Sequence, residues 1–383
     1  MLSNQKNKFK LPKDITYFNG ASRSPILKIV EKIGHELITK EAMPHLITVD
    51  DFFIHTEELR KKFTQLIDAP DYHNTAVISS ASYGLATVAN NIKLKSSDEI
   101  LVIDEQFPSN YYVWKRLADK YNATLKTVKI PIDFINRGKL WNEAILQSIN
   151  KNTAVVAIGP CHWADGTIFD LKTIRQKATQ NDALLIIDGS QNIGAVPFSV
   201  KEIQPDALIT VGYKWLLGLY SMGMAYYSDR FNNGIPLEEN WINRKGSEDF
   251  KNLVNYQEEY QPKAGRYNMG ERSQFIAAPM LTKSIEQLLE WQPKNIQEYC
   301  HHISKSAIEK LRELGCFIEE DTYRRKHLFG VYLPEHIDLD KLKANFEKNN
   351  IYVSLRGNAV RISSNVYNDE SDFEKLIHCF KSI

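Results

Sequence analysis

The sequence predicts an α/β fold: a mostly parallel, seven-stranded sheet flanked by helices, followed by a smaller α+β unit. Three observations predict it. From Thr75 onward, short apolar runs alternate with amphipathic stretches of helical period, the pattern of βαβ units. The runs ALLII (Ala183–Ile187) and ALITV (Ala207–Val211) are almost wholly apolar, as strands buried on both faces must be. Beyond about Gly270 the pattern changes to a long helical region and then short strands between helices.

In order, a polar lead runs into YFNGASRSP (Tyr17–Pro25), where Asn19 and Gly20 mark a sharp bend. ILKIVEKIGHEL then has helical period. TAVISS, ILVID, TLKTVKI, TAVVAIG and ALLIID read as strands, and YGLATVANNI, YYVWKRLADKY, LWNEAILQSI and LKTIRQKAT as the helices that follow the first four. ALITV and MGMAYYS follow each other without a long helix, so one member of the sheet should run antiparallel. From about Arg230 to Gly270 the chain is polar and irregular, as functional or interface segments are. PMLTKSIEQLLEW opens the long helical region. CFIEE, LFGVYLP, IYVSLR and AVRISS read as strands, and DLDKLKANFEKNN and DESDFEKLIHCFKSI as helices. We therefore divide the chain into a large domain, 15–275, and a small one, 276–383, with residues 1–14 packing near the latter.

The chain has 383 residues, 43% of them hydrophobic, enough for a sizeable core. Its 48 basic and 47 acidic side chains leave a formal charge of +1, which gives no electrostatic reason to expect nucleic acid or a membrane surface as partner. Cys161, Cys300, Cys316 and Cys379 have neither CxxC nor zinc-ligand spacing, and no metal is expected. They read as reduced thiols of a cytoplasmic protein. The polar N-terminus lacks the apolar core of a signal peptide, and no run approaches membrane-spanning length.

The chemistry concentrates between Ala183 and Gly218. Asp188 directly follows ALLII, beyond a strand's carboxyl end, where open α/β sheets bind ligands. Lys214 follows ALITVGY in the apolar and aromatic setting YKWLLGLY. Desolvation lowers a lysine's pKa and frees its amine to attack carbonyls. An acid and a desolvated lysine on neighbouring strand ends suit a cofactor that forms a Schiff base and needs its ring nitrogen protonated. Pyridoxal 5′-phosphate is such a cofactor. Taken singly, Asp188 would close a turn and Lys214 would snorkel.

Other motifs arrive in order. SSASYG (Ser79–Gly84) lies between a strand and a helix, where free amides and the helix dipole favour a phosphate. Ser82 is the side-chain candidate, although an ordinary N-cap uses the same residue types. Phe107 follows the second strand, placed either to stack on a flat ring or simply to pack. His162 and Trp163 follow the fourth strand and should face the same crevice. A lone histidine is more often structural, and Asp170 suits a helix cap. Arg361 alternates with apolar residues in VSLRGNAVRISS. It is placed either to hold a substrate carboxylate or to form a structural ion pair.

The order SSASYG, EQFPSN, WADGT, LLIIDGSQ, GYKWLLG and VRISSNVYND resembles the class V aminotransferase superfamily, from roughly Tyr17 to the C-terminus. The resemblance implies fold type I, a homodimer with its active site near the subunit interface, and pyridoxal phosphate held by Lys214 as a Schiff base. It implies that Asp188 pairs with the pyridinium nitrogen and Gln191 with the phenolic oxygen. Ser82, Ala81 and Tyr213 would hold the phosphate. Phe107 would stack on the ring, with Trp163 in the same crevice. Arg361 would bind the α-carboxylate of a small amino acid, and Asn19 and Arg356 are placed with it on the substrate side. YNMGERSQF resembles the segment that reaches the partner's phosphate, with Glu271 where many relatives have threonine. The desulfurases of this superfamily carry a nucleophilic cysteine shortly before that arginine. IYVSLRGNAVRIS contains none, so a persulfide-forming mechanism is not expected. The expected activity is transamination, with C–S lyase or epimerase chemistry as alternative. A non-catalytic relative is disfavoured by the intact Lys214 and Asp188. A dinucleotide site would need GxGxxG, and SSASYG supplies one glycine.

Overall fold

The computed structural model describes residues 2–383. β1 (Thr16–Tyr17) precedes α1 (Lys28–Glu41) and α2 (Ile54–Leu66). Strands and helices then alternate: β2 (Thr75–Ile78), α3 (Ala81–Asn90), β3 (Glu99–Ile103), α4 (Ser109–Tyr121), β4 (Thr124–Val128) and α5 (Arg137–Ser148). They continue as β5 (Thr153–Ile158), α6 (Leu171–Gln180), β6 (Leu184–Asp188), the single turn α7 (Val200–Ile203), β7 (Ala207–Val211) and β8 (Gly223–Tyr227). Seven of these strands form one sheet in the order β2-β8-β7-β6-β5-β3-β4. Only β8 runs against its neighbours, pairing antiparallel with β2 and β7. The expected single antiparallel member is therefore present, because the chain between Val211 and Gly223 is too short for a helical crossover.

The order of strands places a crevice. β4 lies outside β3, whereas β5 lies on β3's other side. The chain reverses its direction of winding there, and the loops after β3 and β5 part at the carboxyl ends of the strands. β7, buried along its whole length, and β6 deliver their own loops to the same edge.

The remaining elements are α8 (Ala277–Trp291), α9 (Pro293–Glu313), β9 (Leu328–Tyr332), α10 (Leu339–Lys348), β10 (Ile351–Tyr352), β11 (Ser354–Arg356), β12 (Ala359–Ser363) and α11 (Glu370–Lys381). Pro293 separates α8 from α9, with Gln292 before it at positive φ. β11, β12 and β9 make a separate antiparallel sheet. β10 pairs instead with β1, in parallel. Ser363 donates its amide to the Phe18 carbonyl, and Asn19 bridges to Ser363. The bend at Asn19 is thereby fastened to β12, far away in sequence. The lead segment joins it there: Gln5 donates its amide to the Val366 carbonyl, and Phe9 packs edge-on against Tyr367.

Two readings of the sequence need correction. CFIEE is not a strand: Phe317 makes one isolated bridge to Tyr332. Arg312 takes the carbonyls of Ile318 and Glu319, and the Glu319 side chain accepts the Glu320 amide, so no ladder forms. IYVSLR is two strands, not one, because its halves pair with different partners on either side of Val353.

Candidate active site

Four strand ends converge on one cleft, lined among others by Phe107, Trp163, Asp188, Gln191 and Lys214. Phe107 comes from the loop after β3, Trp163 from that after β5, Asp188 and Gln191 from β6, and Lys214 from β7.

Lys214 sits on a tight turn. The Leu217 amide donates to the Lys214 carbonyl and the Gly218 amide to that of Gly212, with Leu217 at a φ of 57°. Gly194, at a φ of 102°, presses on this turn. A Cβ there would strike the Trp215 carbonyl oxygen, so only glycine fits. The Lys214 side chain is 6% exposed. Burial lowers its pKa to about 8, against the opposing pull of Asp188 and with help from Arg361 and Arg356. Its amine has no hydrogen-bond partner among the described residues and lies 5.2 Å from the Phe107 ring centre and 5.8 Å from that of Tyr213.

Asp188 accepts the Ser190 amide at 3.0 Å, which leaves its other oxygen for the cleft. The Ser190 hydroxyl is buried, lines the cleft and has no partner among the described residues. Gln191 donates to the Ala21 carbonyl and accepts from the Trp215 indole. One of its two amide protons therefore remains unused.

At the start of α3, Ser80 rather than Ser82 is the cap, accepting the Tyr83 amide at 3.1 Å. Ser82 is exposed, with its hydroxyl 3.0 Å from that of Ser80. The first-turn amides of Ala81 and Ser82 have no partner within the helix. Tyr213 is half-buried beside Tyr220, and burial first, then Tyr220, raises its pKa to about 12.

Phe107 and Trp163 meet edge to face at 5.3 Å. Trp163 donates to the Glu105 carbonyl at 2.7 Å, with Glu105 at a φ of 50°. His162 does not face the crevice, contrary to expectation. Its ring is buried between Asp165, 3.1 Å from Nδ1, and the Glu105 carbonyl, 3.3 Å from Nε2. Asp170 caps α6, as anticipated.

Arg361, on β12, is 1% exposed and lies against Trp163, which lines the cleft. It donates to Ser354 Oγ, the Trp163 carbonyl and Ser22 Oγ at 3.0, 3.1 and 2.7 Å. Burial, then Arg356, lowers its pKa to about 9. No carboxylate meets it among the described residues, so the structural ion pair is not formed. Arg356 also reaches Ser22. Asn19 is half-buried, its Oδ1 enclosed without a partner among the described residues, but it is not among the residues around the cleft. Ser273 turns its hydroxyl inward to the Phe52 carbonyl, while Glu271 is exposed.

Sequence reasoning missed Ser22, Ser80 and Ser190. Ser80 had a signal in the doubled serine of SSASYG. Ser22 had none, since only the pairing of β1 with β10 and of Phe18 with Ser363 brings it to Arg361.

The aminotransferase class-V family model matches residues 16–376. The chain belongs to that family. Among curated relatives, the uncharacterized aminotransferase YcbU of Bacillus subtilis (strain 168) is 22% identical over 84% of this chain and 82% of its own length. Hercynylcysteine sulfoxide lyase of Schizosaccharomyces pombe is 24% identical over 98% and 96%. Among solved structures, the apo cysteine desulfurase of Thermococcus onnurineus NA1 superposes with a TM-score of 0.83 at 19% identity, covering both chains fully. A cystine C-S lyase in complex with cysteine persulfide superposes with a TM-score of 0.83 at 14% identity, over 96% of this chain and 97% of its own. The fold is thus that of the type I pyridoxal phosphate enzymes. Family membership makes pyridoxal 5′-phosphate the cofactor, and the cleft suits its ring: an unpartnered amine, a carboxylate and an aromatic ring border one space.

Proposed function

We propose that this chain is a pyridoxal phosphate-dependent enzyme that works at Cα of a small amino acid and transfers its amino group. The observation that carries the proposal is the Lys214 amine, buried and unpartnered in the same cleft as Asp188. When bound, the cofactor supplies an electron sink for the charge left at Cα. Lys214, with a pKa of about 8, holds the cofactor through its neutral amine and afterwards carries the proton to and from Cα. Asp188 keeps a proton on the ring nitrogen. Gln191 offers its spare amide proton to the phenolic oxygen, and Ala81, Ser82 and Tyr213 bind the phosphate. Phe107 covers the ring, and Trp163 beside it helps exclude water. Arg361 orients the substrate through its α-carboxylate, and Asn19, bridged to Ser363 on the same strand, lies behind it rather than in the cleft lining.

A second reading, elimination of a sulfur substituent from Cβ, is favoured by the likeness to a hercynylcysteine sulfoxide lyase over nearly the whole chain. The same lysine and acid serve both. We do not assign persulfide formation: β11 and β12 form a tight hairpin through Gly357 and Asn358 that contains no cysteine. Cys161 lines the cleft, but burial raises its thiol pKa to about 11. We further propose a homodimer, with the YNMGERSQF segment at the subunit interface, and a cytoplasmic location in keeping with four free, buried cysteines. No helix among the described residues is long and apolar enough to cross a membrane.

Incubating the reconstituted holoenzyme with single amino acids, with and without a keto-acid acceptor, tests these readings. Product that requires the acceptor supports transamination. Pyruvate and ammonia without acceptor support elimination. Stoichiometric alanine with persulfide or sulfide from cysteine would overturn both.

A further inference from the structure

Several buried guanidiniums in this fold meet carboxylates, whereas Arg325 and Arg266 reach only the carbonyls of Pro160 and Gly234 among backbone acceptors. Arg137 meets Asp165 at 2.7 Å, Arg272 meets Glu57 at 3.3 Å, Arg60 meets Glu57 at 2.7 Å, and Arg324 meets Asp321. Arg361 and Arg356, beside the Trp163 ring that lines the cleft, meet no carboxylate among the described residues either. Arg361 spends its hydrogen bonds on two hydroxyls and a carbonyl. Arg356 donates to the Leu355 carbonyl at 2.6 Å and reaches Ser22 Oγ at 3.4 Å, while its Nε is buried with no partner among the described residues. The two guanidinium carbons lie 5.8 and 5.3 Å from the Trp163 ring centre. Two like charges therefore share one hydroxyl and one aromatic ring with no anion between them, and each loses solvation there.

One α-carboxylate neutralises one of these charges. The other calls for a second anion on the same molecule, and both terminal nitrogens reach the same Ser22 oxygen, so the two anions must lie close together. Resting on the reading of the cleft as an amino-acid site, we propose that Arg356 selects a substrate whose β-carbon bears a second anionic group, an aspartate-like amino acid. Arg361 takes the α-carboxylate, and Arg356 takes the side-chain acid through its unused N–H groups.

The test uses the reconstituted holoenzyme, titrated with L-aspartate, L-cysteate and L-alanine and followed by calorimetry and by the visible band of the cofactor. Aspartate and cysteate should bind about tenfold or more tighter than alanine, as a charge-assisted hydrogen bond at a half-buried site provides. Arg356→Gln should collapse that ratio toward one, and Arg356→Lys, which keeps the charge, should hold most of it. Equal affinity for alanine and aspartate in the unaltered enzyme overturns the proposal. So does a parallel weakening of both ligands in Arg356→Gln, which would mean that both arginines clamp one α-carboxylate. Failure to take up pyridoxal phosphate at all would instead overturn the reading of Lys214. Calorimetry of the same acids against cofactor-free protein would still read the arginine pair.

Discussion

At the scale of single residues, the Lys214 amine controls when the cofactor is accepted. Only the uncharged amine attacks a carbonyl, and burial brings its pKa down from 10.5 to about 8. The rate of Schiff-base formation on adding pyridoxal phosphate to cofactor-free protein should therefore climb as pH rises through about 8 and then level off. Stopped-flow absorbance across roughly pH 6 to 10 measures this, and a midpoint close to the ordinary lysine value would contradict the desolvated setting. The sign for stability follows. A lysine with a depressed folded pKa sheds its proton first in the folded state, so the unfolded chain binds more protons between about pH 8 and 10.5, and stability rises with pH across that window. Lys214 and Asp188 were legible in the sequence because each is the first charge after an almost wholly apolar run. Ser22 was not, because its place beside Arg361 depends on backbone pairing between residues some 340 positions apart. His162 was misjudged for a related reason: its neighbour Asp165 takes its Nδ1 inward, and residue type alone does not show which way a ring turns.

At the scale of elements, a buried polar knot joins α5, the loop after β5, and β9. Asp165 binds Arg137 and the Tyr332 hydroxyl through one oxygen, and His162 and Thr167 through the other. Burial pushes its carboxyl up, but His162 and Arg137 outweigh that and hold it well below the ordinary carboxylate range. Its stabilising contribution is thus present above the unfolded value near 3.8 and fades as pH falls below it. Asp165→Ala leaves Arg137 buried without its carboxylate and should cost about 3–5 kcal/mol in denaturant unfolding at neutral pH. A loss under about 1 kcal/mol would mean that the knot is replaceable by water. The seven sheet strands could be read in advance because burial on both faces writes itself as apolar runs. The small sheet was read less well. Short strands with partners on several elements carry little periodicity, so IYVSLR looked continuous, and at CFIEE the Arg312 contacts that stop a ladder come from another element.

At the scale of the whole molecule, cofactor and stability are linked. Buried residues of the large sheet, of α8 and α9, and of the small sheet belong to one continuous apolar cluster, so the chain should melt in a single transition rather than two. The cleft draws on four strand ends of the large sheet, and its Trp163 accepts a hydrogen bond from Arg361 of β12, so whatever fills it ties both sheets to the folded state. A ligand present at about a hundredfold excess over its Kd stabilises the fold by about 2.7 kcal/mol. A chain of this length has an unfolding entropy of roughly 0.8 kcal/mol/K, so pyridoxal phosphate should raise Tm by about 3 °C. Lys214→Ala removes the covalent bond but leaves the α3 amides and Phe107 in place, so it should keep only part of that rise. Differential scanning calorimetry of both proteins with and without the cofactor measures the difference. Equal shifts would show that the amine does not hold the cofactor, and a melt split in two would show that the sheets unfold independently despite their shared core.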